Sequence, residues 1–188
     1  MTAETPVSEY PIITVTDERL TAEQADLLAE LRAARHFLRL TARDLDDEQA
    51  GRRTTVSELC IGGLIKHVIS GERTWATFIE HGPSAMPDWM SWTEADYLAR
   101  ADQFRMLPGE TLDGVLADYA DAARATDELV AGLTDLNVSQ PLPPAPWFTA
   151  GGSWTARRTV LHIIAETTQH AGHADIIREA LDGAKSMG

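Results

Sequence analysis

Residues 153–183, SWTARRTVLHIIAETTQHAGHADIIREALDG, hold no proline and close on Asp182-Gly183, a glycine stop of the kind that ends helices. The pattern predicts one long helix from Ser153 or Trp154 to Leu181. Along it Arg158, His162, Glu166, His170, His173 and Ile177 advance by 4, 4, 4, 3 and 4 residues, so they share one stripe whose middle is polar. Leu161, Ile164, Ala165 and Ile177 flank that stripe and place it at the border of a core. Burying polar groups without partners costs about 1–3 kcal/mol each, so something must compensate the imidazoles and the carboxylate.

Three further long helices precede this one. Thr21-Ala-Glu-Gln24 has the form of a capping box, and Leu27, Leu31, Ala34, Leu38, Thr41 and Leu45 follow at alternating spacings of 4 and 3, with Asp46-Asp47-Glu48 as the end of the stripe. A second helix is predicted from about Ser57, as N-cap, to about His81, before Gly82-Pro83, with Leu64, Val68, Trp75 and Phe78/Ile79 as its core face. Residues 82–110 read as an irregular crossover with a short amphipathic helix around Glu94–Phe104. A third long helix follows Thr111, its stripe being Leu112, Val115/Leu116, Tyr119, Ala122/Ala123, Thr126, Leu129/Val130 and Leu133. The Pro- and Gly-rich stretch Gln140–Gly152 leads into the fourth. There is no internal repeat, low-complexity tract or useful strand-like alternation. The expected class is all-α, a four-helix bundle with two long connections. The 188 residues read as a single domain, 1–188, with residues 1–17 an N-terminal arm.

Composition narrows the function classes. Lys and Arg number 16 against 29 Asp and Glu, a net charge of −13, which argues against nucleic acid and anionic membranes as partners. Cys60 is the single cysteine, so no intrachain disulfide forms and a reducing compartment fits. The start, MTAETPVSEY, has no basic region and no apolar run, and no stretch is apolar enough to span a bilayer. The expected location is the cytoplasm. No phosphate-binding glycine loop, nucleophile elbow or C-x-x-C motif occurs.

The second helix carries an oddity that matches the fourth. The face around His67 consists of small residues, Cys60, Gly63, Gly71 and Thr74, and glycine inside a helix costs about 1 kcal/mol relative to alanine. Such a face keeps room for a ligand or permits close helix packing. Glu166-x-x-x-His170 sets two metal-ligating side chains one turn apart, and His67 would complete a three-ligand site with an open position, the arrangement of catalytic rather than structural zinc. On spacing alone, a hydrogen-bonded seam of His162, Glu166 and His170 explains the stripe as well. With 1.5 Å of rise per residue, His162 and His170 lie about 12 Å apart, so one ion cannot bind both. The competing pairs are His162/Glu166, Glu166/His170 and His170/His173. Cys60 reads as a small packing residue, His36 as a surface or helix-boundary side chain, and His81 as a helix C-terminal residue favoured by the dipole. The five tryptophans read as core or loop anchors, with Trp147 or Trp154 at the mouth of a site.

Gly-Leu-Ile-Lys-His67-Val, together with His162-Ile-Ile-Ala-Glu166-Thr-Thr-Gln-His170-Ala-Gly-His173-Ala-Asp175-Ile-Ile-Arg178-Glu179, resembles the DinB/YfiT-like superfamily. It is most similar to the actinobacterial branch of mycothiol S-transferases and the metal-binding domain of mycothiol-dependent maleylpyruvate isomerase. The resemblance covers most of the chain, and the specific part is Trp154–Gly183. It implies an up-down-down-up four-helix bundle and a divalent metal, zinc in most thiol-using members with nickel as the alternative. The positions matching the ligands are His67, Glu166 and His170; many relatives have a histidine where Glu166 stands, and the isomerase has a glutamate. The isomerase's additional C-terminal domain has no counterpart within these 188 residues, so isomerase activity is not carried over.

The expected activity is therefore a metal-dependent transferase that activates a low-molecular-weight, mycothiol-like thiol as a thiolate and joins it to an electrophile in detoxification. Arg157 and Arg158, next to Trp154, are candidate contacts for the polar body of the thiol, with surface ion pairing as the favoured alternative for the two arginines. The expected partners are the small-molecule thiol and the electrophile, and a second copy of the chain is the candidate protein partner. The rival readings are a metal-assisted hydrolase and a non-catalytic metal-binding or stress-response bundle.

Overall fold

Reciprocal hydrogen bonds at Thr21 begin the first helix, α1 (Ala22–Leu40): Thr21 Oγ1 accepts from the Gln24 N–H at 3.2 Å, and the Thr21 N–H donates to Gln24 Oε1 at 3.0 Å. The computed structural model describes residues 19–186, so the arm expected over 1–17 lies outside the described residues. Leu27, Leu31, Ala34 and Leu38 are buried as the stripe requires, whereas Thr41 and Leu45 fall beyond the helix end. The acidic run read as a stop is also a start. Asp46 caps a short helix, α2 (Asp47–Gly51), through a second reciprocal pair with Gln49.

The next helix, α3 (Ile61–His81), begins later than Ser57. Cys60 caps it, its Sγ accepting the Gly63 N–H at 3.4 Å, while Ser57 Oγ is taken by the Leu59 N–H in the preceding turn. The crossover contains α4 (Glu94–Asp102), which buries none of its residues. Thr111 caps α5 (Leu112–Gly132), whose buried Leu112, Val115, Tyr119, Ala122, Thr126 and Val130 follow the predicted stripe. Thr155 caps α6 (Ala156–Asp182), and Gly183, at φ 80°, ends it in the left-handed region that glycine adopts without strain.

Helix α6 starts later than Ser153 or Trp154 because those residues belong to a strand. β1 (Ser139–Pro141) and β2 (Ser153–Thr155) form an antiparallel ribbon with Gln140 opposite Trp154. Strands of this length are too short to leave a period in the sequence. The ribbon ties the two ends of the Pro/Gly stretch together and anchors the start of α6.

The four long helices supply the packing: α6 lies against α1 and α3, α5 against α3, and α1 also touches α5. Leu38, Ile61, Leu64, Ile65, Tyr119 and Ala174 belong to one apolar cluster, and Leu28, Ile79, Val130 and Val160 to another. Between them along α1 and α3 lies a buried ion pair, Arg35 with Glu72, at 4% and 2% exposure. Arg35 also donates to Asp127 Oδ1 at 2.7 Å. On α6 the core face is Val160, Ile163, Thr167, Ala171, Ala174 and Ile177, while Leu161 is exposed. The polar stripe thus runs beside the core-facing side chains. Among the described residues, no helix is long and apolar enough to cross a membrane.

Candidate functional site

His67 is 7% exposed on α3 and its ring stacks on Phe104, with centroids 4.3 Å apart and planes at 30°. Gly63, one turn earlier, makes this contact possible. A Cβ there would collide with the Phe104 carbonyl, so only glycine lets the connection after α4 close onto α3. Gly71, one turn later, faces open space. The small-residue face of His67 therefore serves both purposes considered above, close packing on one side and room on the other.

Glu166 and His170 come to His67 from α6. The two histidine rings meet edge-on at 4.9 Å, and His170 Nε2 lies 3.7 Å from Glu166 Oε2. One nitrogen or oxygen from each of His67, Glu166 and His170 lies within 4.8 Å of the others. His173 approaches from the far side, its Nδ1 3.4 Å from His170 Nδ1, which leaves His170 Nε2 pointing toward Glu166. His162 is held apart from the cluster by edge contacts to Trp75 and Trp154 at 4.7 and 5.0 Å.

Electrostatics keep His67 and Glu166 in ligand form. Burial, with the charges of Arg100 and His170 adding to it, pushes the His67 imidazole down to about 4. The hydrogen bond to His170 holds the Glu166 carboxyl below its ordinary value against the opposing effect of burial. His67 Nδ1 is buried without a hydrogen-bond partner. A neutral His67 with an orphaned ring nitrogen, a second imidazole and one carboxylate are a donor set that suits a divalent cation.

The cluster opens on a cavity of about 790 Å³. Trp75, Trp89, Trp92, Tyr97, Trp147 and Phe148 line it, supplied by α3 and by both long connections. The family model for mycothiol S-transferases matches residues 26–183, from within α1 to the glycine that ends α6. The chain belongs to the mycothiol S-transferase family. No curated protein is significantly similar to it in sequence.

In this member of the mycothiol S-transferase family, the candidate thiol contacts Arg157 and Arg158 and the neighbouring Trp154 stand outside the cavity lining. Arg157 pairs with Glu23 and donates to Asn137 Oδ1 at 2.7 Å, which holds it on the surface. Arg158 covers the Trp154 ring at 4.9 Å. Trp154 in turn stacks on Trp75 at 4.8 Å, behind the wall. Sequence reasoning missed Phe104, Arg100 and the cavity role of Trp75, Trp89, Trp92 and Tyr97. For Trp89, Trp92, Tyr97 and Phe104 the signal that could have found them was the crowding of aromatic residues in the first long connection. Cys60 is buried as a helix cap, and His81 is exposed at the end of α3.

Proposed function

We propose that this family member is a metal-dependent S-transferase, built on an up-down-down-up four-helix bundle, that joins a mycothiol-like thiol to an electrophile. The observation that carries the reading is the meeting of His67, Glu166 and His170 at the wall of an aromatic cavity. These three residues would hold a divalent cation, zinc first and nickel as the alternative. Such an ion, when bound, supplies the Lewis acidity that brings a thiol down from its ordinary pKa of about 8.5.

The remaining work falls to the side chains. Burial keeps a lone pair of His67 free of protons at neutral pH. The contact of His173 with His170 Nδ1 fixes that ring's orientation, as outer partners of ligating histidines commonly do. Three protein ligands leave a position for an exogenous one, unlike the closed four-ligand structural sites. The aromatic wall offers ring faces against which an electrophile stacks, so both reactants are held in one cavity.

The test is conjugation of mycothiol to monochlorobimane by protein purified without a His-tag, with and without chelator. A chelator-sensitive rate restored by zinc or nickel is expected. Absence of such a rate with mycothiol, glutathione and bacillithiol alike would overturn the transferase reading in favour of a non-catalytic metal-binding bundle.

A further inference from the structure

Arg100, in the last turn of α4, lines the cavity and is the only lysine or arginine that does so among the described residues. Its guanidinium lies 5.5 Å over the Phe104 ring, the same ring that stacks on His67. Its one hydrogen bond is to Gln103 Oε1 at 3.4 Å, and no carboxylate lies within ion-pair distance of it among the described residues. The acids that share the cavity have other partners. Glu72 is bound by Arg35, Asp96 accepts the Thr93 N–H at 2.7 Å and its hydroxyl at 2.6 Å, and Glu166 belongs to the histidine cluster. Helix α4 buries no residue and Tyr97 on it is 60% exposed, so its inner face is open to a ligand. Trp89 and Trp147, 5.2 Å apart, add further ring faces to the same cavity.

We propose that the cavity selects an aromatic electrophile carrying a carboxylate, with Arg100 as the specificity-determining residue that pairs with the carboxylate while the wall stacks on the ring. The planar guanidinium fork matches a carboxylate in a way no other free group of the cavity does. The inference rests on the transferase reading for the thiol, which occupies the histidine cluster. With 4-chloro-3,5-dinitrobenzoate the sulfur attacks the chlorine-bearing carbon. A C–S bond forms, the C–Cl bond breaks, chloride leaves with the bonding electrons, and the thiol proton passes to solvent.

Binding and turnover are measured separately. Isothermal titration compares unreactive 3,5-dinitrobenzoate with 3,5-dinitrobenzamide on the wild type, R100Q, R100K and R100E, each verified as folded by circular dichroism. Conjugation of mycothiol to 4-chloro-3,5-dinitrobenzoate and to its amide is followed in parallel, each rate divided by the uncatalysed one. The expected result is about tenfold tighter binding of the benzoate than of the amide by the wild type, a preference lost in R100Q, kept in part in R100K and reversed in R100E. Equal binding of the two by the wild type, or a preference that survives R100Q, overturns the proposal; the latter would assign the carboxylate to the histidine cluster. A benzoate preference that depends on Arg100 without any conjugation would sustain this inference and overturn the transferase reading.

Discussion

The ring of His67 stacks on that of Phe104, 4.3 Å between centroids with the planes at 30°, and Gly63 is what allows it. A site histidine on one helix is thus held by a residue from the crossover, through a close approach that any Cβ at position 63 would block.

Gly63→Ala is therefore expected to force Phe104 outward, costing about 1–3 kcal/mol as overpacking does. It should lower the metal affinity together with the urea midpoint. Gly71→Ala is the control: a Cβ there meets nothing within 4 Å, and the helix should gain up to about 1 kcal/mol. Equal destabilisation by the two changes would refute the close-approach argument.

Metal content separates the polar residues of α6. His67→Ala, Glu166→Ala and His170→Ala should each abolish stoichiometric metal in tag-free protein, while His162→Ala and His173→Ala keep it and at most slow turnover. His162 instead meets the stacked pair Trp75 and Trp154 edge-on. In the wild type, metal at a hundredfold excess over Kd should stabilise by about 2.7 kcal/mol, seen as a chelator-sensitive melting temperature. Metal loss in His162→Ala with retention in His170→Ala would move the site one turn toward the start of α6.

Acid should destabilise the chelated protein in a defined window. His67 takes up its proton near 4 when folded and near its ordinary 6.5 when unfolded. The unfolded chain binds the proton first, so stability is complete above 6.5 and falls as the pH drops toward 4, by roughly 3 kcal/mol from this residue. His162 is lowered by burial too and acts in the same direction. Glu166, held below its ordinary 4.5, adds a loss at still lower pH. Urea titrations at pH 7.5 and 5 read the effect. If His67→Gln leaves the difference between the two unchanged, His67 does not titrate as described.

The Arg35–Glu72 pair offers a test of the core. Arg35→Met leaves the Glu72 carboxylate buried without its partner and should cost about 3–5 kcal/mol. The double change Arg35→Met/Glu72→Leu should recover most of that, because Asp127 keeps Arg32 at 2.7 Å. A double variant as unstable as the single one would show that the pair is worth more than the apolar packing replacing it.

Capping residues and apolar spacing make the helices legible in the amino-acid order itself: Thr21, Thr111 and Gly183 act as expected, and the stripe of α5 is buried almost residue for residue. These features rest on bonds between residues three or four apart, which the local order of side chains dictates. Glu166 and His170 are legible for the same reason. His67 is marked in the sequence by the small residues on its face, but its meeting with Glu166 and His170 is not. His67 arrives through the packing of α3 on α6, Phe104 through the closure of the crossover at Gly63, and the aromatic wall through a ribbon too short to show a period. Arg157, promising in sequence, is drawn to Glu23 on α1, far away along the chain. Local order determined the helices and the pair of ligand-type residues on α6. The cavity, its arginine and the meeting of His67 with that pair depend on how helices and connections dock, which is set by packing summed over the whole core rather than by any stretch of residues.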